Sequence, residues 1–277
     1  ENVDRLIKSP ASQRGRDFGI MLACFAELGY EAEWRVINAS EYGTAQRRRR
    51  VFIFAAHSST KYCMKMKKNE SEKMISSKGF FATTFPVDKT GSVRMIGVDA
   101  DNIPRMSETF TFPFENAGIM RDNCVITMKV FPKKEEPVTL KDILEENVPS
   151  EYYIENSLDK WAYLKGAKKI NRVSNTGHEY VFSEGPISFP DKLDLPARTL
   201  LTSESSVNRS THVIEDPQTG KLRLLTPVET ERIQGFDDEW TNTGMPHKFR
   251  YFCMGNALVV PLVTRMGKRL EAIFKNE

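Results

Sequence analysis

Cysteine is scarce in this chain, and its spacing excludes more than its number. Cys24, Cys63, Cys124 and Cys253 stand 39, 61 and 129 residues apart. Such gaps fit neither a metal knuckle nor a CxxC redox pair, and no metal site is expected. A disulfide scaffold is not expected either, so the sequence reads as that of a cytoplasmic protein. No apolar run of about 18 residues occurs, which excludes a membrane-spanning helix. A secretory signal peptide is lacking too. Charge of one sign is not in excess: 40 Lys and Arg face 37 Asp and Glu, a net +3. A histone-like bulk polycation is therefore excluded, and any nucleic-acid binding must come from a local patch. Gly-x-Gly does not occur, and no cysteine follows a proline, the preceding residues being Ala23, Tyr62, Asn123 and Phe252. There is no internal repeat and no low-complexity tract.

What is present suits a globular protein. Of the 277 residues, 40% are hydrophobic, enough for one large domain or up to two ordinary ones. Gly15 to Leu28 carries Phe18, Met21, Leu22, Phe25 and Leu28 at helical spacing and ends at Gly29. Glu33 to Ala39 and Val51 to Ala56 read as strands, and the second is apolar enough for a buried parallel sheet. Residues 61–78 are rich in lysine and predict a solvated loop. From 80 to 137 the pattern is irregular, with a strand over Val125 to Val130. Thr139 caps a short helix to Glu146, Thr226-Pro227 starts another through Ile233, and a last helix runs from about Asn256 to Phe274. The chain starts at Glu1 rather than at methionine, from which we expect that a preceding segment has been removed. The layout predicts an α/β fold whose middle is an insertion.

Four consecutive arginines, Arg47 to Arg50, run into the apolar strand. A run of this kind is often only a solvated patch. Strand alternation nevertheless puts Arg48 and Arg50 on one face and Arg47 and Arg49 on the other. Guanidinium groups at a sheet mouth can hold a phosphate or a base carbonyl. Glu1-Asn2-Val3 is too short to mean much alone, and a carboxylate beside basic residues is usually an ion pair. Gly255-Asn256-Ala257 is either a simple N-cap turn or a place where Asn256 meets a ligand. Arg198-Thr199-Leu200 and Val207 to His212 are polar segments that either line an ordinary surface loop or reach DNA.

Together these pieces resemble the cytosine-C5 DNA methyltransferases. The resemblance is carried by Glu1-Asn2-Val3, Gln46 with Arg47 to Arg50, Arg198 through His212, Leu225 to Glu229 with Arg232 to Phe236, and Gly255-Asn256, in the family's order. It covers most of the chain apart from the middle. It implies part of a Rossmann-like class I methyltransferase sheet with an inserted target-recognition domain. The divisions expected are residues 1–60 and 216–277 for the catalytic domain, 61–137 for a variable insertion and 138–215 for target recognition.

The resemblance further implies methyl transfer from S-adenosylmethionine to C5 of a flipped cytosine in duplex DNA. Glu1 and Asn2 would belong to the catalytic set, Glu1 assisting at the ring N3. Arg50 would donate to the cytosine O2, and Arg48 would hold the backbone or the catalytic loop. Asn256 and Ala257 would touch the cofactor. Gln46, Arg198, Asn208, Arg209 and Ser210 would meet DNA. The family's Pro-Cys nucleophile and glycine-rich cofactor loop have no match here, so the chain resembles the family's C-terminal portion. We therefore expect it to need the N-terminal half of the same enzyme as partner and to be inactive alone. A bacterial restriction-modification setting is implied too. A non-catalytic DNA-recognition fragment and a tRNA cytosine-C5 methyltransferase are the alternatives.

Overall fold

The computed structural model describes residues 1–277, which form two compact units. The first comprises Glu1–Gly43, Arg48–Glu136 and Pro261–Glu277; the second comprises Thr44–Arg47 and Pro137–Val260.

The first unit is built on one sheet. Its strands are Asn2–Val3 (β1), Tyr30–Asn38 (β2), Arg49–His57 (β3), Val87–Gly97 (β4), Ala117–Arg121 (β5) and Cys124–Pro132 (β6), in the order β1-β3-β2-β5-β6-β4. Every pairing is antiparallel. The parallel sheet expected from the apolar run at Val51 is therefore corrected. That run is apolar because the sheet is covered on both faces, whatever its strand direction.

On one face lies Arg16–Glu27 (α1), the helix that the apolar spacing predicts, with Gly29 at φ 75° just beyond it. Its Phe18, Leu22 and Ala23 bury against Trp34, Val36 and Val51. Each large side chain removed from water there contributes about 1.5–3 kcal/mol. Phe18 meets Trp34 edge-on at 5.1 Å. Gly118 makes room for that indole, since a Cβ on it would sit 2.1 Å from Trp34 Cζ2.

The other face is covered by residues 61–84, of which 61–78 were expected to be a solvated loop. This segment folds as Lys61–Met66 (α2), Ser71–Lys73 (α3), one π turn and Phe80–Thr84 (α4). Cys63, Met74 and Ile75 are buried while most of the lysines stay outside, so a sparse apolar set does the packing. Phe80 stacks on Phe54 at 4.2 Å. Two charges lie beneath this cover. Glu33 accepts from Tyr62 Oη at 3.0 Å, and Arg35 donates to the Ile75 carbonyl at 2.6 Å. Burial pushes the Glu33 carboxyl up and the Arg35 guanidinium down. The short helix Ile103–Thr109 (α5) completes the α1 side through Met106.

The second unit has little sheet. Leu158–Lys165 (α6) precedes a ribbon of Lys168–Val173 (β7) and Glu179–Glu184 (β8), and Val213–Glu215 (β9) pairs with Leu222–Leu224 (β10). Thr139 caps a 3-10 turn over Leu140–Ile143, shorter than the helix expected. Pro227–Gln234 (α7) starts on a capping box of Thr226 and Glu229, as its Thr-Pro signal predicts. Glu229 also takes two bonds from Arg223, at 2.8 and 2.7 Å, with both side chains fully buried. His247–Asn256 (α8) is a helix that the sequence reading did not have, and the last helix, expected from about Asn256, is Val260–Phe274 (α9). From Pro261 onward α9 belongs to the first unit, where Arg265 grips Glu135 at 2.7 and 2.6 Å.

Candidate functional site

In the first unit the edge strand β1 lies against the start of β3, pairing Val3 with Arg50 and Asn2 with Val51. That short pairing brings Glu1 to Arg50, whose Nε stands 2.9 Å from Glu1 Oε1. Both side chains remain partly open to solvent. Arg50 Nη1 also donates to the Arg49 carbonyl at 2.8 Å, which fixes the guanidinium plane. The alternation expected of the arginine run holds: Arg47 and Arg49 are exposed, Arg48 is buried and Arg50 half-buried.

Arg48 is buried and close enough to feel both charges of this pair. Burial, with the like charge of Arg50, pushes its guanidinium down to about 10, against the pull of Glu1. It remains a cation at neutral pH. Arg49 faces away and meets Asp4 at 3.0 Å. Asn2 turns to its own chain, its Oδ1 accepting from Val3 N at 2.8 Å, and it lines an open cavity of about 780 Å³ with Leu6 and Arg14. Thus Glu1, Arg48 and Arg50 come together, with Asn2 beside them.

The residues expected to meet DNA all lie in the second unit and are used largely to build it. Gln46 is wholly buried, and its Oε1 accepts from Leu200 N at 3.0 Å. Arg198 makes a bidentate pair with Asp191 at 2.7 and 3.0 Å and donates to the Ser210 and Thr211 carbonyls. Asn208 accepts from Ser210 N at 2.7 Å and donates to Ser203 O at 2.9 Å. Arg209 donates to the Leu164 and Gly166 carbonyls at 2.9 Å. These four residues knit the 198–212 loop, with Ser210 contributing its main chain. Also in that loop, His212 Nδ1 meets Glu204 at 2.9 Å with both side chains buried, a pair that the sequence reading did not single out. Its signal is slight, one histidine in a polar stretch.

Asn256 lies at the end of α8, not at a helix start as the sequence reading had it. Its exposed side chain donates to Phe252 O at 3.3 Å, and Gln234 reaches the Ala257 carbonyl at 3.4 Å. Gly255, one residue earlier, allows a close approach: a Cβ on it would stand 2.3 Å from Thr202 N. The 225–236 motif is mostly interior. Glu229, Thr230, Glu231 and Gln234 show no exposed surface, while Arg232 clasps Asp238 at 2.7 and 2.6 Å outside.

A family model described as C-5 cytosine-specific DNA methylase matches residues 1–272. The chain belongs to that family. Among relatives of this methylase chain, Type II methyltransferase M.Sau3AI of Staphylococcus aureus is 51% identical over 276 residues, covering 99% of the chain and 66% of that protein. DNA (cytosine-5)-methyltransferase 2 of Arabidopsis thaliana is 25% identical, covering 99% of the chain and 19% of that protein. The chain therefore spans less than two thirds of the length of either. Among solved structures, the S. pombe Dnmt2 methyltransferase superposes with a TM-score of 0.52 at 14% identity, over 98% of this chain and 66% of that one. That likeness gives the fold, an α/β methyltransferase fold whose sheet here is antiparallel. No helix is long and apolar enough to cross a membrane.

Proposed function

We propose that the chain carries the base-binding and DNA-recognition part of a DNA (cytosine-5)-methyltransferase, acting on a cytosine flipped from the duplex. The contact of Arg50 and Glu1 at 2.9 Å carries this proposal. Cytosine presents O2, N3 and the amino N4 along one edge. A guanidinium that donates to O2 and a neighbouring carboxyl that serves N3 match that edge in order. Flipping costs a few kcal/mol, which contacts to this edge help to offset. When a thiolate adds to C6, charge builds on the ring at N3 and O2. Donors already aimed there stabilise it. Arg48, buried near the pair, adds positive potential.

Enzymes of this family take the methyl group from S-adenosylmethionine. Asn256 offers such a ligand its exposed amide, whereas the Ala257 main chain is already taken by Cys253 O and Gln234, and the two residues do not enclose it. The steps assigned here to the chain's own residues are base binding and charge stabilisation.

We place the nucleophilic thiol outside residues 1–277, because no cysteine of the first unit stands by Arg50. Cys63 Sγ donates to Ala56 O, six residues along β3 from Arg50, roughly 20 Å at strand rise. Burial also pushes that thiol up, away from thiolate character. Cys124 begins β6, three strands across the sheet from β3, and Cys24 rides on α1 over the face opposite Arg50. Cys253 belongs to α8 of the second unit. Residues 138–215 serve target recognition, and the likeness to M.Sau3AI supports a restriction-modification setting.

The test uses the chain completed by the N-terminal part of M.Sau3AI. Arg50→Ala should lower the rate of methyl transfer to duplex DNA by about 100-fold, the usual cost of one oxyanion-type donor. DNA binding should stay within about twofold, since the mutated contact is to the base and not the backbone. Transfer within twofold of wild type removes Arg50 from the site.

A further inference from the structure

The sheet of the first unit splits at one end. β2 and β5 run together as far as Arg35 and Ala117, and one further bond, Val36 N to Asn116 O at 2.7 Å, ends their pairing. Beyond it β2 stays with β3, where Asn38 pairs with Arg49, while the chain before β5 turns off through Phe114 and Glu115. The Asn116 side chain spans the gap. It donates to Val130 O and accepts from Val130 N, both at 2.8 Å, and so holds the end of β6 across it. A cavity of about 340 Å³ opens in this split, within the size range of small-molecule sites. Lys8 and Arg14, from the segment leading into α1, line it as well.

The charge around this cavity is unbalanced. Lys8, Arg14, Arg35, Arg49 and Lys129 line it against two acids, Glu41 and Glu115. Glu115 is engaged by Arg94 at 3.3 Å, and Arg49 by Asp4 at 3.0 Å. Lys8, Arg14 and Lys129 are exposed and enter no ion pair. Arg35 is the decisive group. It is 2% exposed, its terminal nitrogens go to the Ile75 and Phe85 carbonyls, and its Nε has no hydrogen-bond partner. Glu33, two residues back, is taken up by Tyr62 and makes no ion pair with it. Tyr42 does not neutralise it either, because burial pushes that phenol up to about 12. A buried cation without a carboxylate on it is stabilised by an anion placed beside it.

We propose that this cavity binds a small phosphomonoester carrying a flat ring, a ligand with the size and chemistry of a nucleoside monophosphate. The phosphate dianion lies among Lys8, Arg14 and Lys129, in charge-assisted bonds, with the field of Arg35 behind them. The ring lies along half-buried Phe131, with Val36 and Phe114 next to it. A hydroxyl of the ligand donates to Glu41, the one lining acid that forms no ion pair. Inorganic phosphate satisfies the cations alone; the aromatic wall and Glu41 call for the organic part. Neither Glu1 nor Arg50 lines the cavity, so its ligand is not the flipped cytosine. It is not S-adenosylmethionine either, whose sulfonium this cationic lining repels and which has no phosphate. The inference therefore stands apart from the methyl-transfer reading.

The test is isothermal titration of the whole chain, which needs no activity. The probes are adenosine, guanosine, cytidine and uridine monophosphates, the matching nucleosides and inorganic phosphate. At least one monophosphate should bind at a single site, about tenfold or more tighter than both its nucleoside and inorganic phosphate. Lys8→Ala and Lys129→Ala should each weaken it about tenfold, the share of one charge-assisted bond. Both side chains are exposed, so folding should be unchanged, which circular dichroism checks. No binding of any monophosphate, equal affinity for inorganic phosphate, or unchanged binding in both variants overturns the proposal. So does displacement of the bound monophosphate by a 20-base-pair duplex, which would give the cavity to DNA.

Discussion

Glu229, Arg223 and Lys165 are withdrawn from water almost entirely, and each is held by a specific partner. Such groups are costly when one partner is lost, because the survivor stays buried and charged. Glu229→Ala leaves Arg223 without its bidentate carboxylate and the α7 cap without its N3 acceptor. We expect a loss of about 3–5 kcal/mol in urea unfolding of the second unit. Lys165 answers differently. Burial holds its ammonium down to about 8, from the usual 10.5. Between those values the unfolded chain holds a proton that the folded chain has shed, so stability rises with pH across the window. This contribution is full above about 10.5 and is lost as pH falls through about 8. Lys165→Met should flatten the rise, as measured by unfolding free energies at pH 7.5 and 10. An equal slope in the variant contradicts the assignment. None of these burials was legible in the sequence. Periodicity marks which residues are polar, whereas burial of a polar group depends on partners far along the chain, as with Lys165 and the Thr211 carbonyl.

Elements were legible where local chemistry fixes them. The apolar spacing of α1 and the Thr226-Pro227 start of α7 predict helices that the fold contains within one or two residues. β2 and β3 are longer than read, because Tyr30 to Ala32 and the arginines at the start of β3 extend the ladder without a continuous apolar signal. Strand direction was not legible: a run buried on both sides looks the same parallel or antiparallel. α8 was missed altogether, the last helix being read from about Asn256, where α8 ends; α9 starts at Val260, with Pro261 in its first turn. Gly255 shows what the α8 terminus supports. An added Cβ would stand 2.3–2.6 Å from the main chain of Leu201 and Thr202, atoms that cannot swing aside. Gly255→Ala should therefore displace the 201–202 segment and cost about 1–3 kcal/mol. A melting curve unchanged from wild type contradicts that packing.

For the molecule as a whole, the net charge of +3 means that the DNA affinity proposed here has to come from where cations are placed rather than from their excess. Glu1 and Arg50 were legible as candidates because they carry the family's pattern, and the sheet brings them to 2.9 Å. The expected DNA contacts at Arg198, Asn208 and Arg209 were legible as residues but not in what they hold, since Arg198 is taken up by Asp191, Arg209 by the Leu164 carbonyl and Asn208 by its own loop. Sequence shows a polar side chain without showing whether the chain itself uses it up.

The central claim is that this chain holds the base-binding half of a methyl-transfer site and takes its thiol from elsewhere. Transfer of a labelled methyl group from S-adenosylmethionine to duplex DNA tests it most directly, with the chain alone and then mixed with the N-terminal part of M.Sau3AI. We predict no labelled DNA from the chain alone and labelled DNA from the mixture, formed about 100-fold more slowly with Arg50→Ala. Labelled DNA from the chain alone contradicts the claim and puts the nucleophile among Cys24, Cys63, Cys124 and Cys253.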